Sequence, residues 1–172
     1  MSSKKDKLYL NLALNLAKNM EGLTGTNPSV GSILVKNDEV ISLASTGYNG
    51  RPHSEFSLLN KIDKKITKGS SLYVTLEPCS HYGKTPPCTN IIIDKKISRL
   101  VFGAHDIDKR SSKRAKQILK SKKIKVKSIN VPKINEFYKP YIFQRKYKQP
   151  YVTGKIACSK DFFIKSSKSK YI

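Results

Sequence analysis

Two short apolar runs, 72–76 and 100–103, are each followed by a polar loop and then by a segment of helical length, 88–95 and 110–121, before a third run at 124–126. Parallel strands need a crossover, usually a helix, so this strand, helix, strand order argues for an α/β layer with several parallel strands. Upstream, 30–35 and 40–44 are β-rich runs parted by Lys36-Asn37-Asp38-Glu39, a turn of hairpin length. An antiparallel hairpin added to parallel strands gives a mixed central sheet, and helices on both faces give a three-layer α/β/α sandwich. Gly31, at the start of the first run, marks a place where backbone must approach something closely.

The helices are legible from their spacing. Leu8, Leu12 and Leu16 recur every fourth residue beside Ala13 and Ala17, Ser3 and Asp6 have capping-box spacing, and Gly22 supplies a stop. A second helix is expected over 53–62, where Phe56, Leu58, Leu59 and Ile62 follow Gly50-Arg51-Pro52 and place His53 at the helix N-terminus. Residues 131–149 are rich in aromatics and Lys and carry Pro132 and Pro140, which reads as a closing helix or a connecting linker. Beyond it, 151–157 reads as one strand before a Lys/Ser tail.

Charge and cysteine usage exclude several classes. Thirty-four Lys and Arg against twelve Asp and Glu give a net charge of +22, spread along the whole chain, as solvated faces would be rather than a dedicated nucleic-acid surface. Three cysteines, an odd number, disfavour a disulfide scaffold and suit a reduced, cytoplasmic setting. No apolar run approaches the roughly 20 residues of a membrane span, and Asn11 and Asn15 interrupt what could otherwise imitate a signal peptide.

The chemistry concentrates in His53-Ser54-Glu55, Glu77-Pro78-Cys79 and Cys88. One imidazole and two thiolates form a zinc site with one tetrahedral position open, and an open position is where chemistry happens. Cys79 after a strand, Cys88 at a following helix start and His53 at the preceding helix start can converge at one edge of the sheet. Glu55 need not be a ligand; beside the open position it can take a proton from water and deliver it to a leaving nitrogen. Cys158 has no such partners and reads as a structural thiol, and His105 reads as a surface histidine.

Zinc deaminases carry H-x-E followed by P-C-x-x-C, but here eight residues separate Cys79 from Cys88. With that insertion, Thr75-Leu-Glu-Pro-Cys-Ser-His-Tyr-Gly-Lys-Thr-Pro-Pro-Cys88 resembles the deaminase domain of the bifunctional bacterial riboflavin-biosynthesis family (RibD or RibG). Thr26-Asn27-Pro28-Ser29-Val30-Gly31 and Gly50-Arg51-Pro52-His53-Ser54-Glu55 match two further blocks of that family in order. The resemblance implies a cytidine-deaminase-like fold over 1–130, a connecting segment over 131–149, and the opening of a dihydrofolate-reductase-like domain over 150–172. Pro150, Lys155, Ala157, Ser159 and Asp161 fit that opening, whereas Phe162 stands where the family has a Gly. Neither reductase activity nor NADPH binding is expected without the remainder of that domain.

It further implies zinc held by His53, Cys79 and Cys88, with Glu55 as the catalytic proton carrier. The reaction would be hydrolytic deamination of 2,5-diamino-6-(5-phosphoribosylamino)pyrimidin-4(3H)-one to 5-amino-6-(5-phosphoribosylamino)uracil and ammonia. By the same analogy Lys84 contacts the substrate phosphate, while His81 and Asn27 contact the pyrimidine or ribose. Departures from the family are Ser54 where Ala is common and Thr46 where many members have a pocket His. A separate reductase or a second copy of the chain are the partners it suggests. Two other readings share the motif: a deaminase acting on adenosine in tRNA, which the charge would suit, and a non-catalytic zinc-stabilised module. The eight-residue spacer argues against the first and Glu55 against the second.

Overall fold

The computed structural model describes residues 3–108, 110 and 114–164. After helix α1 (Ser3–Lys18), strands β1 (Gly31–Lys36) and β2 (Glu39–Ser45) form the hairpin. Its turn residues Asn37 and Asp38 both take positive φ, 52° and 65°, the left-handed pair whose twist suits a two-residue loop and which Asn and Asp tolerate best among non-glycines. A 3-10 turn at Tyr48–Gly50 leads to α2 (Ser54–Leu59) and α3 (Lys64–Thr67). The alternation then runs β3 (Ser71–Leu76), α4 (Cys88–Asp94), β4 (Arg99–Ala104), α5 (Arg114–Ser121), β5 (Lys125–Ser128) and α6 (Pro132–Tyr147). The five strands lie in the order β2-β1-β3-β4-β5; β1 is antiparallel to both β2 and β3, and β3, β4 and β5 are parallel. The mixed sheet of a cytidine-deaminase-like α/β fold is therefore present.

Strand periodicity sorts the helices into layers. Ser32 meets Ser54 of α2, so the face of β1 that carries Ser32 and Leu34 looks toward α2, with α4 packed on α2 and α5 on α4. The opposite face carries Gly31, Tyr73, Thr75 and Gly103 and is covered by α1 and α6. Gly31 is the expected close approach: a Cβ there would stand 1.9 Å from the Ala13 carbonyl oxygen of α1. Between the layers, Leu10, Leu14, Ile33, Leu72, Tyr73, Ile92, Leu100 and Phe102 form one continuous core.

Residues 131–149, open between a closing helix and a linker, form α6 over most of their length. Pro132 is its first residue, where a missing N–H costs nothing. The helix runs on through Pro140 while Ile134 and Tyr138 are buried against the sheet. Three expectations are corrected. Asp6 does not reach back to cap α1; it turns inward to Arg99 and Tyr73. The second helix ends at Leu59 rather than at residue 62. No strand forms over 151–157, because alternation alone cannot replace a neighbouring edge: Val152 and Ile156 are 83% and 80% exposed, with no strand beside them among the described residues. Phe162 adopts φ 67°, the left-handed conformation that favours the glycine it replaces in the resemblance. The start of the expected helix at 111–113 and the Lys/Ser tail over 165–172 lie outside the described residues. No helix among those described is long and apolar enough to cross a membrane.

Candidate active site

Three chain features bring the sequence-predicted ligands together. Pro78 ends β3 and leaves Cys79 just beyond its C-terminal end; His53 is the N-cap of α2; and Cys88 is the first residue of α4, after Pro87 as N-cap. His53 Nδ1 lies 3.6 Å from Cys79 Sγ and 3.4 Å from Cys88 Sγ, and the three donor atoms all fall within 4.8 Å of one another. Zinc bond lengths of about 2.05 Å to nitrogen and 2.3 Å to sulfur, at a tetrahedral angle, require N···S edges of about 3.6 Å. The donor set therefore fits zinc in chemistry and in spacing.

The electrostatics favour a ligating thiolate. A hydrogen bond from the Cys88 thiol, helped by His53 and by the Cys88 backbone N–H at 3.2 Å and opposed by burial, holds Cys79 well below the ordinary thiol range. The proton-giving side of that bond, together with burial, pushes Cys88 up. The bond to Cys79 outweighs burial and raises His53. Two helix N-termini, those of α2 and α4, also face the cluster and favour negative charge there.

Glu55 is buried in the first turn of α2. Burial pushes its carboxyl above its usual value and the charge on Cys79 adds to this, while His53 and a hydrogen bond from Ser54 oppose it. The Ser54 hydroxyl donates to Glu55 Oε2 at 3.1 Å, which leaves Ser32 as the donor in the 2.6 Å Ser32–Ser54 contact. The departure at Ser54 thus supplies a hydrogen bond to the acid that Ala would lack.

The cluster opens into a cavity of about 260 Å³. Asn27, His81 and Lys84 all line it, as do His53, Glu55 and Cys79; Cys88 lies behind, on a separate apolar groove with Phe56 and Pro87. Asn27 is tied in place by donating Nδ2–H to Gly50 O at 3.0 Å. Thr46 also lines the cavity, but its hydroxyl accepts from Val30 N–H and so holds the β1 entry. Sequence reasoning named Glu77 beside Cys79 without giving it a role and missed Asp106, Tyr141 and Arg145, all of which also line the cavity. It also left His105 without a task, whereas His105 Nδ1 lies 2.9 Å from Glu77 Oε2. A signal existed for α6: Ile134, Tyr138, Tyr141 and Arg145 share one helical face by spacing, once 131–149 is taken as a helix.

Comparison with known proteins agrees with this geometry. The family described as the cytidine and deoxycytidylate deaminase zinc-binding region matches residues 3–104. The riboflavin biosynthesis protein RibD of Aquifex aeolicus is 39% identical over 160 residues, 91% of this chain and 44% of that protein. The diaminohydroxyphosphoribosylamino-pyrimidine deaminase of Buchnera aphidicola from Schizaphis graminum is 36% identical over 141 residues, 82% of this chain and 95% of the relative. Among solved structures, Acinetobacter baumannii RibD superposes with a TM-score of 0.82 at 31% identity, over 92% of this chain and 45% of that one. The chain thus spans less than half the length of the RibD proteins it matches and nearly all of the shorter deaminase. With its His-Cys-Cys cluster, buried glutamate and five-stranded mixed sheet, the chain belongs to the zinc-binding cytidine and deoxycytidylate deaminase family, on the branch of the riboflavin-biosynthesis deaminases.

Proposed function

We propose that the chain hydrolyses the ring amine of 2,5-diamino-6-(5-phosphoribosylamino)pyrimidin-4(3H)-one, giving 5-amino-6-(5-phosphoribosylamino)uracil and ammonia. The observation that carries this reading is a buried carboxylate, Glu55, beside a three-donor cluster able to hold a metal, both lining one cavity. The shorter Buchnera relative, named for this deamination, is covered almost from end to end. His53, Cys79 and Cys88 would hold one zinc per chain. Zinc, when bound, supplies the Lewis acidity that ionises water near neutral pH.

This chain's residues do the rest. Glu55 takes one proton from the attacking water as its oxygen bonds to the amine-bearing carbon, and delivers that proton to the departing nitrogen as the C–N bond breaks. Atoms balance: one water enters, one ammonia leaves, and the ring amidine becomes a lactam. Ser54 holds Glu55 Oε2, so the acid faces the cluster in one orientation. Asn27 and His81 serve the base or ribose, and Lys84, in the loop between the cysteines, serves the phosphate. Nucleotide chemistry of this kind suits the cytoplasm.

The test is ammonia release from freshly prepared ribotide by zinc-loaded protein, run beside Glu55→Gln and with a structured tRNA as competing substrate. Turnover that falls about 10²–10⁴-fold in Glu55→Gln while zinc stays bound is the expected result. Zinc bound without ribotide turnover would overturn the reading, and deamination of the tRNA would replace it.

A further inference from the structure

Among the described residues, two buried side-chain polar atoms have no hydrogen-bond partner: Glu77 Oε1 and Arg145 Nε. Both residues line the cavity that holds Glu55 and Cys79. Buried polar groups are almost always satisfied, because stranding one forfeits its hydration, so two exceptions in one cavity demand a common reason. One is an acceptor and the other a donor. A ligand that brings a polar N–H and an oxyanion would satisfy both.

The surroundings fix each group and leave one atom over. The Glu77 side chain is shielded from solvent, its Oε2 is taken by His105 Nδ1, and its backbone N–H donates to Ala104 O at 2.8 Å. His105 in turn packs edge-on against Phe102. Arg145 donates Nη2–H to Thr26 O at 3.2 Å, and its guanidinium sits over the Tyr141 ring. The other cavity arginines are engaged differently: Arg51 donates to Thr85, and Arg110 is paired with Asp108 through two nitrogens. Glu77 stands two residues from Cys79, at the reacting end, whereas Arg145 is anchored to the loop that carries Asn27.

We propose that Glu77 accepts a hydrogen bond from a ring or amino N–H of the bound pyrimidine and that Arg145 donates Nε–H to a phosphate oxygen of the same ligand, with His105 as the residue that positions Glu77. The proposal rests on the deaminase reading and extends it to two residues that read the ligand, one of them outside the stretch matched by the family model. A carboxylate facing N–H groups rejects a base that offers only acceptors there, and a guanidinium rewards the phosphorylated over the dephosphorylated compound.

The test is calorimetric titration of the zinc-loaded full chain with 5-amino-6-(5-phosphoribosylamino)uracil, its dephosphorylated riboside, and ribose 5-phosphate, with zinc content and thermal midpoint measured for every variant. Arg145→Gln is expected to weaken the nucleotide about tenfold or more and to leave the riboside unchanged. Glu77→Gln removes the charge and puts an NH2 donor in place of one of the two acceptor oxygens, and is expected to weaken nucleotide and riboside alike while sparing ribose 5-phosphate. Should Glu77→Gln lose zinc or fold, Glu77→Asp, which withdraws the carboxylate by one methylene, reads the same contact. Equal loss for riboside and nucleotide in Arg145→Gln, unchanged nucleotide affinity in a folded Glu77 variant, or no binding by the wild-type chain each overturns the proposal. Ammonia release by wild type, measured in parallel, separates the two claims: turnover with unaffected variants sinks the recognition, and the expected binding pattern without turnover sinks the deamination.

Discussion

Replacing Tyr138 by Phe removes one oxygen from the middle of a buried chain of hydrogen bonds whose direction is fixed at both ends. Gly31 N–H can only donate, and it reaches Thr75 Oγ1 at 3.1 Å; Ser29 C=O can only accept, and it takes Tyr138 Oη–H at 2.9 Å. The 2.6 Å link between Thr75 and Tyr138 must therefore run from the Thr75 hydroxyl to the Tyr138 oxygen. Phe at 138 leaves the Ser29 carbonyl without this donor and the Thr75 hydroxyl without its acceptor, in a place where Tyr138 is 1% exposed. Each stranded buried group costs about 1–3 kcal/mol, so a loss of about 2–6 kcal/mol is expected. For a domain of this size that lowers the thermal midpoint by about 4–24 °C. Urea unfolding followed by far-ultraviolet circular dichroism reads it as a shift in midpoint at constant slope. In a Thr75→Val background the same change should cost at least about 1 kcal/mol less, since its partner is already gone. A Tyr138→Phe variant within about 0.5 kcal/mol of wild type, or strict additivity with Thr75→Val, would refute the chain as an energetic unit.

Asp6 gives the acid limb of stability. Burial pushes its carboxyl up, but hydrogen bonds from Arg99 and Tyr73 and the Arg99 charge outweigh this and hold it below the ordinary value. A carboxylate lowered in the folded state contributes stability above about pH 4 and loses it as pH falls through the folded pKa, so Asp6→Asn should flatten the acid side of a plot of thermal midpoint against pH. At pH 7 the same change should cost about 3 kcal/mol, the low end for a broken buried pair because the Arg99 side chain is 18% exposed. Ser54→Ala is expected to lower kcat several-fold with zinc content and KM unchanged, as the donor to Glu55 is lost; an equal fall in bound zinc would point to a structural role instead. Removing zinc with a chelator should raise the number of rapidly reacting thiols from one, the exposed Cys158, to two as the partly buried and readily ionised Cys79 is released, while the buried Cys88 thiol stays slow until the protein unfolds. A Cys79 that reacts equally fast with and without zinc would contradict the ligand set.

How much of this the sequence discloses follows from how local each contact is. His53 and Glu55 are two residues apart at the mouth of one short helix, and Pro78 and Cys79 sit where a strand must stop, so each piece of the candidate metal site is legible locally, although His53 and Cys79 meet across 26 positions. The substrate-facing side is another matter. Glu77 meets His105 only because β3 and β4 pair in parallel with Leu76 opposite Ala104, a register that no motif announces. Asp6 reads as a capping residue until Arg99, ninety-three positions away, is placed over it. Tyr141 and Arg145 stay hidden while Pro132 and Pro140 leave 131–149 open to a linker, although the buried ring of Tyr138 shows what holds that helix down. The strand expected over 151–157 fails for the complementary reason, as its pattern is sound but no edge receives it. The candidate metal site is thus written in short local motifs, whereas the residues proposed to discriminate among ligands are assembled by sheet register and by the seating of α6. Changes that loosen α6 should therefore alter which ligand is accepted before they alter whether zinc is held.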